Sequence, residues 1–129
     1  MGIIELIKKY DDLYYLKGVN MENIRKAEEE LQLSFSEDYI LYLSEFGVAS
    51  FNGKELTGLV DSKRLNVVDV TKNYRRYNEL IPSNLYVIEN INIDNIVIMQ
   101  DKDGIVYEAV GKQSPTKIFD SLNDYLLAD

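Results

Sequence analysis

The stretch SFSEDYILYLSEFGVASFNGKELTGL, residues 34–59, places a helix signal directly before a hairpin signal. Ser36 can cap a helix, two acidic residues follow in the first turn, and apolar residues then recur three and four positions apart. Gly47 is expected to end this helix by adopting a left-handed conformation. The stretch therefore predicts a helix over 36–46 that leads straight into a β-hairpin.

The hairpin is marked by Asn52-Gly53, which lies between the short apolar segments VASF and KELTGL. Asn-Gly tolerates the positive φ angles that a type I′ turn imposes, so we expect the chain to reverse there. No turn is predicted at Gly58. It marks either a β-bulge or a place where another group approaches the backbone closely.

The rest of the chain continues both patterns. Apolar residues at helical spacing predict a helix on each side of the central stretch, with Asn20 and Asn66 as caps, and short apolar runs predict strands in the second half. The strand at 95–100 is apolar on both faces, so we expect it inside the sheet. The predicted elements are helices 3–11, 21–32, 36–46, 67–79 and 119–127 and strands 85–89, 95–100 and 105–110. They indicate an α+β fold, a single domain over 1–129 with helices packed against an antiparallel sheet.

Composition narrows the function classes. The chain of 129 residues carries 22 acidic and 14 basic residues, a net charge of −8, which repels nucleic acid and anionic lipid and suits a basic protein partner. It lacks cysteine and histidine, so disulfides, thiol catalysis and Ser-His catalysis are excluded. With no signal peptide and no run long enough to cross a bilayer, we expect a cytoplasmic location.

No cofactor or metal motif is found. The glycines match neither a P-loop nor a dinucleotide fingerprint. The sequence around Asp101 and Asp103 resembles a calcium loop in part, but Met99 and Val110 occupy the positions where such a loop needs oxygen ligands. We therefore expect a hairpin turn at Asp103-Gly104, and neither metal nor cofactor.

Two other residue sets have open interpretations. Carboxylate pairs such as Glu28/Asp38, Glu45/Glu55 and Asp61/Asp69 could do acid–base chemistry if their environments differ, which keeps an enzyme as a third hypothesis. A basic group lies on and before the fourth helix, and it consists of Lys63, Arg64, Lys72, Arg75 and Arg76. Charge balance within the molecule is its expected role, ahead of a patch for an acidic loop of a partner.

The segment NIRKAEEELQLSFSEDYILYLSEFGVASFNGKELTGL, residues 23–59, resembles the opening motif of the SUKH superfamily, or Smi/Knr family. IFDSLNDYLL, residues 118–127, is similar to that family's closing helix, and the resemblance covers about residues 20–127. Ser36 replaces the usual proline, and Phe46-Gly47-Val48 replaces the frequent Asn-Gly-Gly. The matching residues are Ile24, Glu28, Leu31, Leu33, Tyr39, Tyr42, Leu43, Glu55, Leu56, Gly58 and Leu59.

The resemblance implies an α+β domain whose bacterial members are mostly immunity proteins that bind and neutralise a cognate toxin, often a nuclease, while fungal members are regulators. It implies no shared catalytic residues. Our first hypothesis is thus an intracellular immunity protein, and the alternative is a non-catalytic regulatory or scaffold module that binds an endogenous protein. Because turns often carry binding on a rigid scaffold, we expect the partner surface to comprise Phe51, Asn52, Glu55, Asp61, Asp101 and Asp103.

Overall fold

The computed structural model describes residues 2–128, so Met1 and Asp129, the ends of the predicted domain, lie outside the described residues. Within that range the chain forms five helices and seven strands. In chain order they are α1 (Ile3–Lys8), β1 (Tyr14–Lys17), α2 (Met21–Leu31), α3 (Glu37–Glu45), β2 (Phe46–Phe51), β3 (Lys54–Leu56), α4 (Val67–Tyr77), β4 (Tyr86–Asn90), β5 (Ile96–Gln100), β6 (Val106–Val110), β7 (Thr116–Phe119) and α5 (Leu122–Leu127).

The seven strands form one sheet in the order of the chain, and each strand pairs antiparallel with the next. β5 lies inside this sheet, between β4 and β6, as its two apolar faces predict. The predicted α+β class with an antiparallel sheet is confirmed. Because successive strands run in opposite directions, the β2–β3 and β4–β5 turns lie at one end of the sheet and the β5–β6 turn at the other.

Both faces of the sheet are covered by helices. Ile98 points into the main core, which also contains buried residues of α1, α2, α3 and α5. Its neighbours Val97 and Met99 point to the opposite face, where they pack in a second cluster with Tyr74 of α4. Alternate residues of β5 thus enter two different cores, which explains why the strand is apolar throughout.

The predicted helix caps are confirmed. The side chains of Asn20, Ser36 and Asn66 each accept a hydrogen bond from a backbone N–H in the first turn of the helix that follows. Each bond satisfies a donor that the helix itself leaves without a partner. These contacts are local, which is why the sequence alone located them.

The predicted elements differ from the structure at several points. The helix predicted over 3–11 ends at Lys8. Gly47 does not end a helix in the left-handed region, because α3 passes directly into β2 and Gly47 is the second residue of that strand. Residues 14–17, for which no strand was predicted, form the edge strand β1. Phe119 belongs to β7 rather than to the last helix, which starts after the cap residue Ser121. Both missed strands are short edges that pair on one side only.

Gly58 is a site of close backbone approach, one of the two roles predicted for it. A Cβ atom at this position would lie 1.6 Å from the carbonyl oxygen of Gly47. That oxygen accepts a hydrogen bond of 2.9 Å from the N–H of Leu59, so the chain leaving β3 is drawn against the start of β2. The N–H and C=O of Gly58 also bond to Leu65 and Val67, which fixes the loop that leads into α4.

We predict that Gly58→Ala lowers the free energy of unfolding by about 3 kcal/mol or more, because the added methyl group can fit only if backbone moves. Urea unfolding measures the effect. Gly2→Ala is the control, because a Cβ there meets no atom within 4 Å. A Gly58→Ala protein as stable as this control would contradict the close approach.

Candidate partner-binding surface

The six residues predicted to bind a partner do not form one surface. Asn52 and Gly53 have φ angles of 49° and 76°, as a type I′ turn requires, and Asn52 is exposed at the β2–β3 end of the sheet. Its N–H donates to the carboxylate of Asp12 at 2.9 Å. Asp103 is exposed in the β5–β6 turn, at the opposite end. The positions of Asn52 and Asp103 in the sequence did not indicate that they lie at opposite ends of the sheet. This placement follows from the directions of the strands.

Phe51 and Asp101, which were expected to belong to the partner surface, are both buried. Phe51 is 2% exposed, and its ring packs 5.0 Å from that of Tyr10. The alternation of β2 turns this side chain inward, although it directly precedes the exposed turn. Asp101 is 7% exposed.

Asp101 organises the β5–β6 turn. One carboxylate oxygen accepts the N–H of Asp103 at 2.9 Å and that of Ile105 at 3.1 Å. The other oxygen accepts the hydroxyl of Tyr107 at 2.9 Å. Burial and this bond to Asp101 both raise the pKa of Tyr107. The role of Asp101 in the fold is therefore that of a turn cap.

We predict that Asp101→Ala lowers the free energy of unfolding by about 2–3 kcal/mol, because two backbone N–H groups and one hydroxyl in partly buried hydrogen bonds lose their acceptor. Asp103→Ala, in the same turn but exposed, should change it by less than about 0.5 kcal/mol. Chemical denaturation of both variants tests this role of Asp101. If the two variants were equally stable, Asp101 would not be a turn cap.

Glu55 is held by an intramolecular ion pair. The guanidinium of Arg64 donates to both of its carboxylate oxygens, at 2.6 and 3.2 Å. This hydrogen bonding lowers the pKa of Glu55, against a smaller opposing effect of burial. Lys72 pairs in the same way with Glu30, at 3.3 Å. Two members of the basic group therefore balance acids of the same chain, as expected.

Beside Glu55 lies a second carboxylate, that of Glu89, which is buried beneath α5. One oxygen accepts the N–H of Glu55 at 2.8 Å, and the other accepts the hydroxyl of Tyr125. The ammonium of Lys54 lies 4.6 Å from the centre of the Tyr125 ring. Burial raises the pKa of Glu89, and these hydrogen bonds and Lys54 offset only part of that effect.

This raised pKa predicts a pH dependence of stability. The unfolded chain releases the Glu89 proton near pH 4.5, whereas the folded protein retains it to higher pH. The stability that Glu89 contributes is therefore fully present below that value and is lost as the pH rises through the folded pKa. The melting temperature of the wild type minus that of Glu89→Gln should fall from pH 4.5 towards neutrality. Exposed Glu79→Gln is the control, and a constant difference for Glu89→Gln would contradict the prediction.

Asp61, another of the predicted residues, lies in a concave surface. It lines a groove of about 450 Å³ between α2 and the loop that leads into α4. Glu30 and Asp69 line the same groove, and Lys26 is the cation among the lining residues. Asp61 is exposed and forms no ion pair with any residue in the range 2–128. The groove therefore presents an unbalanced negative charge to solvent.

The walls of this acidic groove are fixed by local hydrogen bonds. Asn66 caps α4 through its side-chain oxygen, and its side-chain nitrogen donates to the carbonyl of Val60 at 2.9 Å. Asp69 lies in the first turn of α4, where the helix dipole favours negative charge. The apolar side chains in the lining are Val19, Ala27, Leu59, Val60 and Val68. Such a surface can bind a basic side chain: its charged end would lie against the carboxylates, and its aliphatic part would lie against these apolar residues.

Sequence reasoning named Asp61 and Asp69 as a pair but could not place Glu30 beside them, because α2 and the loop are far apart in the chain. Asp61 is exposed and Asp69 half-exposed. They therefore lack the contrast between a buried and a solvated carboxyl on which acid–base catalysis depends. Among residues 2–128, no three acidic side chains come together as a metal-binding group.

The comparisons with known proteins identify the family. A family model described as "SUKH_5: SMI1-KNR4 cell-wall" matches residues 2–128. The chain belongs to the SUKH superfamily. A search of curated proteins found no match. None of the helices in the described part of the chain has the length and apolar character needed to cross a membrane.

The SUKH motif residues mostly build the fold. Glu28 accepts the N–H of Phe35 at 2.8 Å and so closes the loop between α2 and α3. Tyr39 and Tyr42 are fully buried and bond to Thr57, just after β3. Of the residues that line the acidic groove, Leu59 is the one that belongs to the matching motif residues, while Asn23, Lys26, Ala27 and Glu30 lie within the 23–59 segment at positions between them.

Proposed function

We propose that this protein is a cytoplasmic immunity protein that neutralises a cognate toxin by stoichiometric binding and has no catalytic activity of its own. The observation that carries the proposal is the acidic groove on a SUKH scaffold, with the carboxylate of Asp61 unpaired among the described residues. An acidic surface of this kind complements the basic cleft of a nuclease or of another toxin that binds a polyanion.

In the proposed complex, basic side chains of the toxin bind between α2 and the loop before α4. Asp61 supplies a charge that forms no ion pair among residues 2–128, Asp69 adds a second carboxylate to the groove, and Glu30, which pairs with Lys72 at 3.3 Å, adds a third. The net charge of −8 adds a longer-range field that steers a basic partner towards the protein. Binding then blocks the toxin surface without any reaction.

The first experiment tests the function. The tagged protein is used to capture its partner from the native cell, and the identified partner is then expressed alone and together with this protein. We expect growth arrest in the first case and normal growth in the second. If the captured partner is harmless when expressed alone, the immunity function is wrong and the regulatory module is the better description.

The second experiment tests the groove. We predict that Asp61→Lys combined with Glu30→Lys weakens toxin binding at least about tenfold while the melting temperature changes little, since both side chains are exposed and the surface ion pair of Glu30 with Lys72 contributes little to stability. The control is Asp103→Lys combined with Glu79→Lys, which changes the net charge equally at exposed positions outside the groove lining. Calorimetric titration gives both affinities.

An equal loss of affinity in both double variants would mean that general acidity, not the groove, holds the toxin. No loss in the groove variant would place the interface elsewhere. For the wild type, added salt should slow association more than it speeds dissociation, because exposed charges act mainly on the encounter.

A further inference from the structure

A pocket of about 370 Å³ opens between α4 and the face of the sheet that lies away from the main core. Val70 and Tyr74 of α4 and Val97 of β5 give it apolar walls, and the ring of Tyr77, which is 45% exposed, adds aromatic surface. The hydroxyl of Tyr74 donates to the carbonyl of Gly111 at 2.8 Å, so Tyr74 contributes its ring alone. Among residues 2–128, this pocket and the acidic groove share no lining residue.

The charge of this pocket is opposite to that of the whole protein. The chain has 22 acidic and 14 basic residues, yet the described residues that line the pocket include Lys63 and Arg64 and no acid. The guanidinium of Arg64 is already paired with Glu55. Lys63 forms no ion pair with any residue in the range 2–128. Its ammonium group is therefore the positive charge that a ligand would meet.

Two asparagine side chains present hydrogen-bond donors to the same pocket. The side-chain oxygen of Asn73 accepts a hydrogen bond of 2.6 Å from the guanidinium of Arg76. That of Asn90 accepts the N–H of Asn92 at 2.9 Å. Since both oxygens are held by groups of the protein, the two NH2 groups are left to donate to a ligand. The pocket thus combines the Lys63 ammonium, two amide donors and an apolar wall.

We propose that this pocket binds a small organic carboxylate. In the proposed complex the carboxylate accepts hydrogen bonds from Lys63, Asn73 and Asn90, and an aromatic body packs against Tyr77 and Val97. The volume of about 370 Å³ lies at the lower end of the range for small-molecule sites, which combine an apolar lining with a few polar groups. The inference does not depend on the proposed function.

Two features favour a carboxylate over a phosphate. Phosphate groups are commonly bound by the N–H groups of a helix N-terminus or by the fork of an arginine. Here the lining residues of α4 begin at Val70, after its first N–H groups, and the fork of Arg64 is occupied by Glu55. The carboxylate of Glu55 also opposes a second negative charge nearby, so a singly charged ligand suits the pocket better.

Calorimetric titration with phenylacetate tests the ligand class. We expect a dissociation constant of about 1 mM or lower, which is within the limit for a ligand of this size. Phenylacetamide has the same shape without the charge and should bind at least about tenfold more weakly, because hydrogen bonds to an ionised group are stronger. Inorganic phosphate should also bind more weakly than phenylacetate. No detectable binding of phenylacetate up to about 10 mM, equal affinity for the amide, or tighter binding of phosphate would each overturn the proposal.

Nuclear magnetic resonance locates the ligand on the protein. The side-chain NH2 signals of Asn73 and Asn90 should shift as phenylacetate is added, since both groups donate to it. The NH2 signal of Asn20, which caps α2 and does not line the pocket, should stay in place. Binding that leaves the signals of Asn73 and Asn90 unchanged would place the site elsewhere on the protein and so refute the proposal.

Two variants test the positive charge. Lys63→Gln should weaken phenylacetate binding at least about tenfold, because it removes the ammonium group that bonds to the carboxylate. Lys102→Gln is the matched control, because Lys102 is also exposed but lies in the β5–β6 turn, outside the pocket lining. An equal loss of affinity in the two variants would mean that net charge alone attracts the anion, and it would contradict the proposed site.

Isosteric variants test the amide donors. Asn73→Asp and Asn90→Asp keep the oxygen that accepts from Arg76 or Asn92 but replace the NH2 group by a second oxygen. Each should weaken phenylacetate binding at least about tenfold while the melting temperature changes little. Asn20→Asp, which adds the same charge outside the pocket and remains a helix cap, is the control. If Asn73→Asp and Asn90→Asp bind phenylacetate as well as this control does, the amides are not part of a binding site and the proposal is wrong.

Discussion

Two buried tyrosine hydroxyls set the position of α3 on the sheet. The single hydroxyl proton of Thr57 goes to the carbonyl of Val87 at 2.8 Å, so the hydroxyl of Tyr39 must donate to the Thr57 oxygen, also at 2.8 Å. Tyr42 donates to the Thr57 carbonyl at 2.9 Å. Burial raises the pKa of both tyrosines, so both stay protonated donors. Without these partners each hydroxyl would lose its hydrogen bonds to water and gain nothing in return, so helix and sheet are locked in one arrangement.

The other elements follow from this junction. Since Thr57 is tied to β4 and α3, the next residue must pass the start of β2 at a distance that only glycine allows. The loop after Gly58 then meets α2 and forms the acidic groove. At the N-terminal end of α3, the side chains of Ser36 and Tyr86 both donate to the side-chain oxygen of the buried Gln100. These contacts of one helix with the sheet thus help to determine where the surface loops lie.

Much of this fold was predictable, and the errors have a common cause. Capping by Ser36 and Asn66, and the Asn52-Gly53 turn, depend on neighbours in the sequence, and each was found. β1 and β7 were missed because four-residue edge strands owe their conformation to a partner strand and carry little pattern themselves. Asp101 was misjudged because its burial depends on Tyr107 across the hairpin. The groove joins α2 to a loop some thirty residues further on, and only the packed chain reveals it.

The acidic residues of this chain differ in whether the fold supplies them with partners. Where an acid has a task in the fold, the chain supplies partners: Arg64 for Glu55, and N–H and hydroxyl donors for Asp101 and Glu89. Asp61 has no such cation in the described chain, so its repulsion with nearby acids works slightly against the compact state. A basic partner would remove that repulsion on binding. In the acidic groove Lys72 pairs with Glu30, whereas Asp61 and Asp69 form no ion pair with another described residue, so the proposed basic partner would supply the counter-charge that these two carboxylates lack.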